Sequence, residues 1–346
     1  MLFRFEKEKI LRVLNYSTNC LYDNESKEQL IEIINNKSEL WESNCVRITL
    51  CGRFNAGKSA VINALLDEKV VISKIVPATG VVTRIYHSEL SKYKVIHDIN
   101  GQSNETVFSY EQINQFTVKN NSTQGDNIKD IIKVEIGIPN ELLKHRVELF
   151  DTPGLYDTLE MDKITFGHMD KSDFIVFVID ALELQKIEDL IGRYYNYLGK
   201  NIVFVINKMD MIRKESDKKV IEELSKVYFA EYYNTLSFST GLFFVSANED
   251  DPDVIAFSDF FRNYLIENSS KIPLISRMSI IKYECDEVYR RLKSKIAECD
   301  DLLKICPVDE KRTIKEQRTK LVHDRQIIGD LIQHLIGTLK DVQINN

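Results

Sequence analysis

The β-branched run VRITLC leads into Gly52, and Gly57-Lys58-Ser59 follows after four intervening residues, opening the apolar helical stretch AVINALL. No other feature restricts the fold of this chain as strongly. A strand that turns through glycines directly into a helix aims the N–H groups of the turn at one point, beside the positive end of the helix. In that strand–helix context the spacing G-x-x-x-x-G-K-[ST] marks a loop that cradles phosphates. It predicts phosphate contacts from Gly52, Asn55, Ala56, Gly57, Lys58, Ser59 and Ala60. The Lys58 ammonium reaches the β and γ phosphates, and the Ser59 hydroxyl is a ligand for Mg2+, a hard ion that takes oxygen.

The surrounding pattern is α/β. Short runs (CVRITLC, KVIHDI, IIKVEIGI, RVELFD, FIVFVID, NIVFVIN, LFFVSA) alternate with helical segments from residue 43 to 270. That alternation predicts a mainly parallel sheet with helices on both faces. Between Val71 and Asp151, a Gly/Thr-containing stretch and the polar NNSTQGDNIKD read as loop or insertion.

Both chain ends read as helix. Phe3, Ile10 and Leu14, then Leu30, Ile34 and Trp41, have helical spacing and are separated by the polar YDNES. After KIPLISR, apolar residues from Leu274 to Leu303 recur three or four apart, and beyond Pro307 they recur every seven, at Ile314, Leu321, Ile328, Leu335 and Val342. Two long helices folded back on each other satisfy that seam. Residues 1–42 and 271–346 are therefore expected to form a helical bundle beside an α/β domain at 43–270, by packing within the chain in preference to a coiled-coil dimer. Pro307 and the KIP at 271–273 are hinge candidates.

Two further strand ends carry chemistry. In VELFDTPGLYD, Asp151 ends a β-run where it can hold a metal through water, and the Gly154 amide can meet a γ phosphate. In VFVINKMD, the Asp210 carboxylate can accept two hydrogen bonds from the N1–H and exocyclic amine of guanine, a donor pair that adenine lacks. Lys208 can lay its alkyl stem along the nucleotide while Asn207 braces neighbouring loops. Ser246 and Ala247 in FFVSANED can offer backbone amides to the guanine oxygen.

Composition excludes several classes. The net charge is −7, with both signs mixed along the chain, which disfavours a nucleic-acid footprint. The six cysteines are scattered, as expected of reduced thiols in cytosol, and no His/Cys/Asp cluster has metal-ligand spacing. The first residues lack the uninterrupted apolar core of a secretory signal. The most apolar runs are shorter than the ~20 residues needed to span a membrane.

The set GRFNAGKS, DTPG, NKMD and SA, in that order, resembles GTPases of the Ras-like P-loop class. AVINALL followed by VISKIVPATGVVTRIYH and VEIGIPNELLKHRVELFDTPGL is similar to large GTPases of the dynamin superfamily, bacterial dynamin-like proteins above all. The resemblance covers roughly residues 45 to 250 and implies hydrolysis of GTP to GDP and phosphate with Mg2+. It makes Thr83 the switch threonine on the metal and the attacking water, with Thr79 as the fallback. Where many Ras-like enzymes carry a water-orienting glutamine, this chain has Leu155.

The family's remedy for that absence is a GTPase-domain dimer formed across the nucleotides, with itself or with a second dynamin-like protein, coupled to movement of a helical neck. Phe54 and Asn55 stand where eukaryotic dynamins carry a glutamine and a cation-associated serine, so their monovalent-cation device is not expected to transfer, and Asn55 is a candidate donor to the β/γ bridge. Arg53 is a candidate charge stabiliser for the transferring phosphoryl group. The resemblance further implies a longer parent that remodels membrane, with lipid contacts in parts absent from this chain, and a cytoplasmic location at the inner membrane face. Two alternatives share these motifs: an Era-type RNA or ribosome-assembly GTPase, for which no basic module follows, and a GTP-dependent scaffold that does not hydrolyse.

Overall fold

A computed structural model describes residues 2–36, 44–71, 81–99, 102–108, 131–155, 158–186, 201–233, 241–246 and 251–344. The chain divides into two units, one of residues 45–269 and one that joins 1–44 to 270–346.

In the first unit the elements run β1 (Val46–Cys51), α3 (Lys58–Leu66), β2 (Val82–His87), β3 (Lys92–Ile99), β4 (Gln102–Phe108), β5 (Ile131–Ile138) and the short α4 (Glu141–Lys144). They continue with β6 (Val147–Asp151), α5 (Leu159–Asp170), β7 (Phe174–Asp180), a 3-10 turn (Ala181–Lys186), β8 (Asn201–Asn207) and a second 3-10 turn (Met209–Met211). The last elements are α6 (Glu215–Tyr233), β9 (Leu242–Phe244) and α7 (Pro252–Asn268). Among the described residues the strands form one sheet in the order β4-β3-β5-β2-β6-β1-β7-β8-β9.

The half from β6 to β9 is parallel throughout, which explains why β7 and β8 read as nearly continuous apolar runs. A strand covered on both faces has no polar side to present, and Ile48, Leu50, Phe174, Ile175 and Val176 are all buried. The other half is mixed: β2 runs parallel to β5 and antiparallel to β6, and β3 is antiparallel to both its neighbours.

Two strands, β2 and β4, are not among the strand runs read from the sequence. β2 has the burial of an interior strand on only two of its residues, Val82 and Ile85, so its pattern lacks both the strict alternation and the apolar run that identify a strand. β4 (QSNETVF) is a polar edge strand held by backbone pairing to β3. Polar residues on an edge discourage pairing with other chains, and they also hide the strand from a hydrophobicity reading.

The second unit is built from α1 (Leu2–Cys20), α2 (Asn24–Asn36), α8 (Ile272–Ile305) and α9 (Lys311–Ile344). Its core takes Ile10, Leu14 and Leu30 from the first pair, and Leu274, Cys285, Leu292, Ile328 and Leu335 from the second. The heptad residues Leu321, Ile328, Leu335 and Val342 are all buried in it. Pro273 sits in the first turn of α8, where a missing N–H costs nothing. Pro307 lies in the α8–α9 turn.

A buried carboxylate pins the α1–α2 turn: Asp324 accepts from the Tyr22 amide at 3.0 Å and the Asp23 amide at 2.6 Å. Lys295 bridges Asp23 and Glu25 at 2.9 and 2.7 Å. Trp41, expected on the second helix, lies outside the described residues, and α2 is described only to Asn36. No described helix is long and apolar enough to cross a membrane.

Candidate functional site

The loop between β1 and α3 turns where its glycines allow. Gly52 has φ +152°, and a Cβ there would stand 2.1 Å from the Val178 carbonyl oxygen. Gly57 has φ +98°, and its Cβ would stand 2.0 Å from Asn207 Nδ2. A side chain at either position would meet both a strained backbone and an occupied space. Asn55 also has positive φ, +61°, a conformation that asparagine tolerates better than most residues. Its presence therefore has a backbone reason independent of any contact to phosphate.

Lys58 opens α3 and folds its side chain back over the loop, Nζ donating to the carbonyl oxygens of Gly52 and Arg53 at 3.1 Å each. Ser59, in the same first turn, donates its hydroxyl to Asp151 Oδ2 at 3.0 Å. The other carboxylate oxygen, Asp151 Oδ1, is buried without a hydrogen-bond partner. Burial pushes the Asp151 carboxyl above its ordinary range, against the pull of the Lys58 charge and the Ser59 hydroxyl. An anionic oxygen enclosed with no partner is costly. Beside a hydroxyl, it is the donor set that a hard divalent cation takes, so these residues fit Mg2+.

Thr83 is the antiparallel register partner of Asp151 and half-buried in β2, so it shares the face of the sheet from which Asp151 meets Ser59. The fallback Thr79 lies outside the described residues. Gly154 is buried just beyond β6. The next residue, Leu155, donates its amide to the Gly52 carbonyl at 3.0 Å and buries its side chain in the core with Met169 and Phe177. Its side chain therefore takes no part in orienting water.

The base-side loops are tied to the phosphate loop. Asn207, buried at the end of β8, donates from Nδ2 to the Ala56 carbonyl at 2.9 Å. The bracing expected of it is therefore realised on the phosphate loop itself. The Asp210 amide donates to Ser246 Oγ at 3.1 Å, leaving the exposed Asp210 carboxylate anchored at its backbone. Ser246 thus contributes its hydroxyl in addition to any backbone amide, and Ala247 lies outside the described residues. Ala60 is half-buried in the first turn of α3, and Phe54 is exposed at the rim.

Two acidic residues here were not singled out from the sequence. Asp180, ending β7, holds Lys208 Nζ at 2.6 Å. Glu183, in the following 3-10 turn, stands 3.5 Å from Arg53 Nε. A signal for Asp180 existed, because FIVFVID ends in a carboxylate just as VELFD does. In parallel sheets, ligands gather outside such carboxyl ends.

Three comparisons bear on this arrangement. Residues 48–209 match the family described as the dynamin family. A bacterial dynamin-like protein of Nostoc punctiforme is 26% identical over 208 residues, 58% of this chain and 30% of that protein. An uncharacterized protein in the xynA 3' region of Caldicellulosiruptor sp. is 26% identical over 206 residues, 58% of this chain and 50% of that protein. The chain thus spans half or less of the length of these curated relatives. A solved structure described as an oligomerised bacterial dynamin pair aligns with 98% of this chain and 53% of its own at 18% identity, with a TM-score of 0.48. The family match runs from β1 through the NKM of the base loop, just under half of the chain, and so takes in the phosphate loop, Asp151 and Lys208; over these residues the chain is similar to the dynamin family.

Proposed function

We propose that this chain binds GTP in Mg2+ form and hydrolyses it to GDP and phosphate, with turnover that depends on pairing of two nucleotide-binding units. The observation that carries the reading is the buried, unpartnered Asp151 Oδ1 beside Ser59, at the mouth of a loop whose Lys58 is already folded over it.

In this reading the loop amides from Asn55 to Ala60 and the Gly52 turn bind the phosphates, the Gly154 amide meets the γ phosphate, and Lys58 moves from the Gly52 and Arg53 carbonyls onto the β and γ oxygens. Ser59, Thr83 and Asp151 hold Mg2+, Asp151 through water. When bound, the ion neutralises phosphate charge as the γ-phosphoryl group departs. Asp210 selects guanine, Lys208 lies along the base, Asn207 keeps the two loops in register, and Ser246 and Ala247 close the site over the guanine oxygen. Asn55 donates to the β/γ bridge.

Leu155 leaves the attacking water unplaced, so the water is oriented by segments that order when two copies meet, with the Thr83 carbonyl contributing. Arg53, released from Glu183, supplies charge to the transferring group. Residues 43–270 are the GTPase domain, and 1–42 with 271–346 form a neck that moves with the nucleotide state. The parent protein acts in membrane remodelling at the inner face of the membrane, through lipid contacts outside this chain.

The test is GTP turnover across a wide range of protein concentration. The rate per molecule should rise with concentration, and Lys58→Ala should lose both binding and turnover. A measurable rate that stays flat would overturn the dimer mechanism. Tight, salt-sensitive binding of ribosomal RNA would favour the RNA-directed alternative.

A further inference from the structure

We propose that Asp180 is a positioning residue for base recognition, fixing the Lys208 side chain as a preformed platform for the guanine ring. The inference rests on the guanine-nucleotide reading above and adds to it a residue outside the recognised motifs.

Asp180 is the register partner of Asn207 across the parallel β7–β8 pair, so its carboxylate stands one strand away from the start of the base loop. It is itself fixed: Oδ1 accepts from the Leu182 amide at 2.9 Å, and Oδ2 takes Lys208 Nζ at 2.6 Å. Lys208 has φ +66°, so the backbone turns sharply where the side chain leaves. With the ammonium held at Asp180, the lysine stem is anchored at both ends.

A free lysine stem samples many rotamers and would lose that freedom on stacking against a base; a tethered one loses it before ligand arrives. The Asp210 amide is fixed on Ser246. Asp180 and Ser246 thus grip the base loop at two points, with the Asp210 carboxylate exposed between them. Side-chain exposures of 13% for Asp180 and 32% for Lys208 make the pair partly buried.

The experiment is calorimetric titration of the intact chain and its variants with GDP and, separately, with inorganic pyrophosphate, both in Mg2+. An unmodified chain that binds neither, or gains nothing from the base, refutes the guanine reading itself. If the unmodified chain prefers GDP, Asp180→Asn should weaken GDP about tenfold, the scale of one charge-assisted hydrogen bond, and leave pyrophosphate unchanged. Asp180→Glu should recover part of the loss. Lys208→Met, which keeps the stem but cannot be tethered, should show the same selective loss, and Asp180→Asn should add nothing to it. This variant also answers the question if Asp180→Asn does not fold. Unchanged GDP affinity in the single variants, equal weakening of GDP and pyrophosphate, or additive effects in the double variant would each overturn the proposal.

Discussion

Replacing Asp151 by asparagine should move stability and ligand response in opposite directions. In the metal-free protein one oxygen of the Asp151 carboxyl group is enclosed without a partner while the other accepts from Ser59, and burial opposes its ionisation. Leaving such a group unsatisfied costs about 1–3 kcal/mol. Asparagine is nearly the same shape, keeps an acceptor for the Ser59 hydroxyl and puts a neutral amide in place of a group whose ionisation burial opposes. The metal-free variant should therefore melt higher, by about 2–4 °C per kcal/mol for a unit of this size. Mg2+ with GDP at about one hundred times its dissociation constant stabilises a binding protein by about 2.7 kcal/mol. The unmodified chain should show that increment and Asp151→Asn should lose its Mg2+-dependent part. Differential scanning calorimetry with and without Mg2+ and GDP measures both quantities. A variant that melts lower without metal and keeps the full Mg2+ increment would refute the assignment of Asp151 as a strained metal ligand.

Three other outcomes follow from the geometry. Gly52→Ala should destabilise the sheet unit by about 3 kcal/mol or more, because positive φ and contact with the backbone oxygen of Val178 act together; chemical denaturation reads the loss. Asp210→Asn should weaken GDP about tenfold to a hundredfold and improve binding of xanthine nucleotides, since an amide can donate to the xanthine 2-oxo group while accepting from N1–H; competition binding reads the exchange. Burial, aided by the nearby Arg47 and Lys171 charges, lowers the His168 imidazole to about 4 from its ordinary 6.5. A depressed folded-state value means that stability is fully present above pH 6.5 and is lost as pH falls toward 4. With its partial exposure allowed for, the loss should be about 1–2 kcal/mol, absent in His168→Asn, and visible in denaturant melts across that range.

The parts of the fold that the sequence made legible are those where backbone geometry demands particular residues. Gly52 and Gly57 are required by positive φ and close approach, so the phosphate loop could be read directly. The runs FIVFVID and NIVFVIN are apolar because their strands lie inside the parallel half of the sheet, with buried side chains on both faces. β2 and β4 escaped notice because pairing alone makes them strands: one has two buried residues and the other is a polar edge. The ties within the site were the least visible. That Asn207 reaches Ala56, that Leu155 turns into the core, and that Asp180 and Glu183 hold Lys208 and Arg53 are consequences of strand register, which places residues distant in sequence side by side.

Guanine recognition by Asp210 is the binding preference on which the proposed function depends. Titration of the unmodified chain with fluorescent GDP and fluorescent ADP in Mg2+ tests it directly. Two hydrogen bonds to a charged carboxylate, each worth about 1.5–3 kcal/mol, predict that GDP binds at least about a hundredfold more tightly and that removing Mg2+ weakens it. Equal affinity for the two nucleotides, or no binding of either, would contradict it.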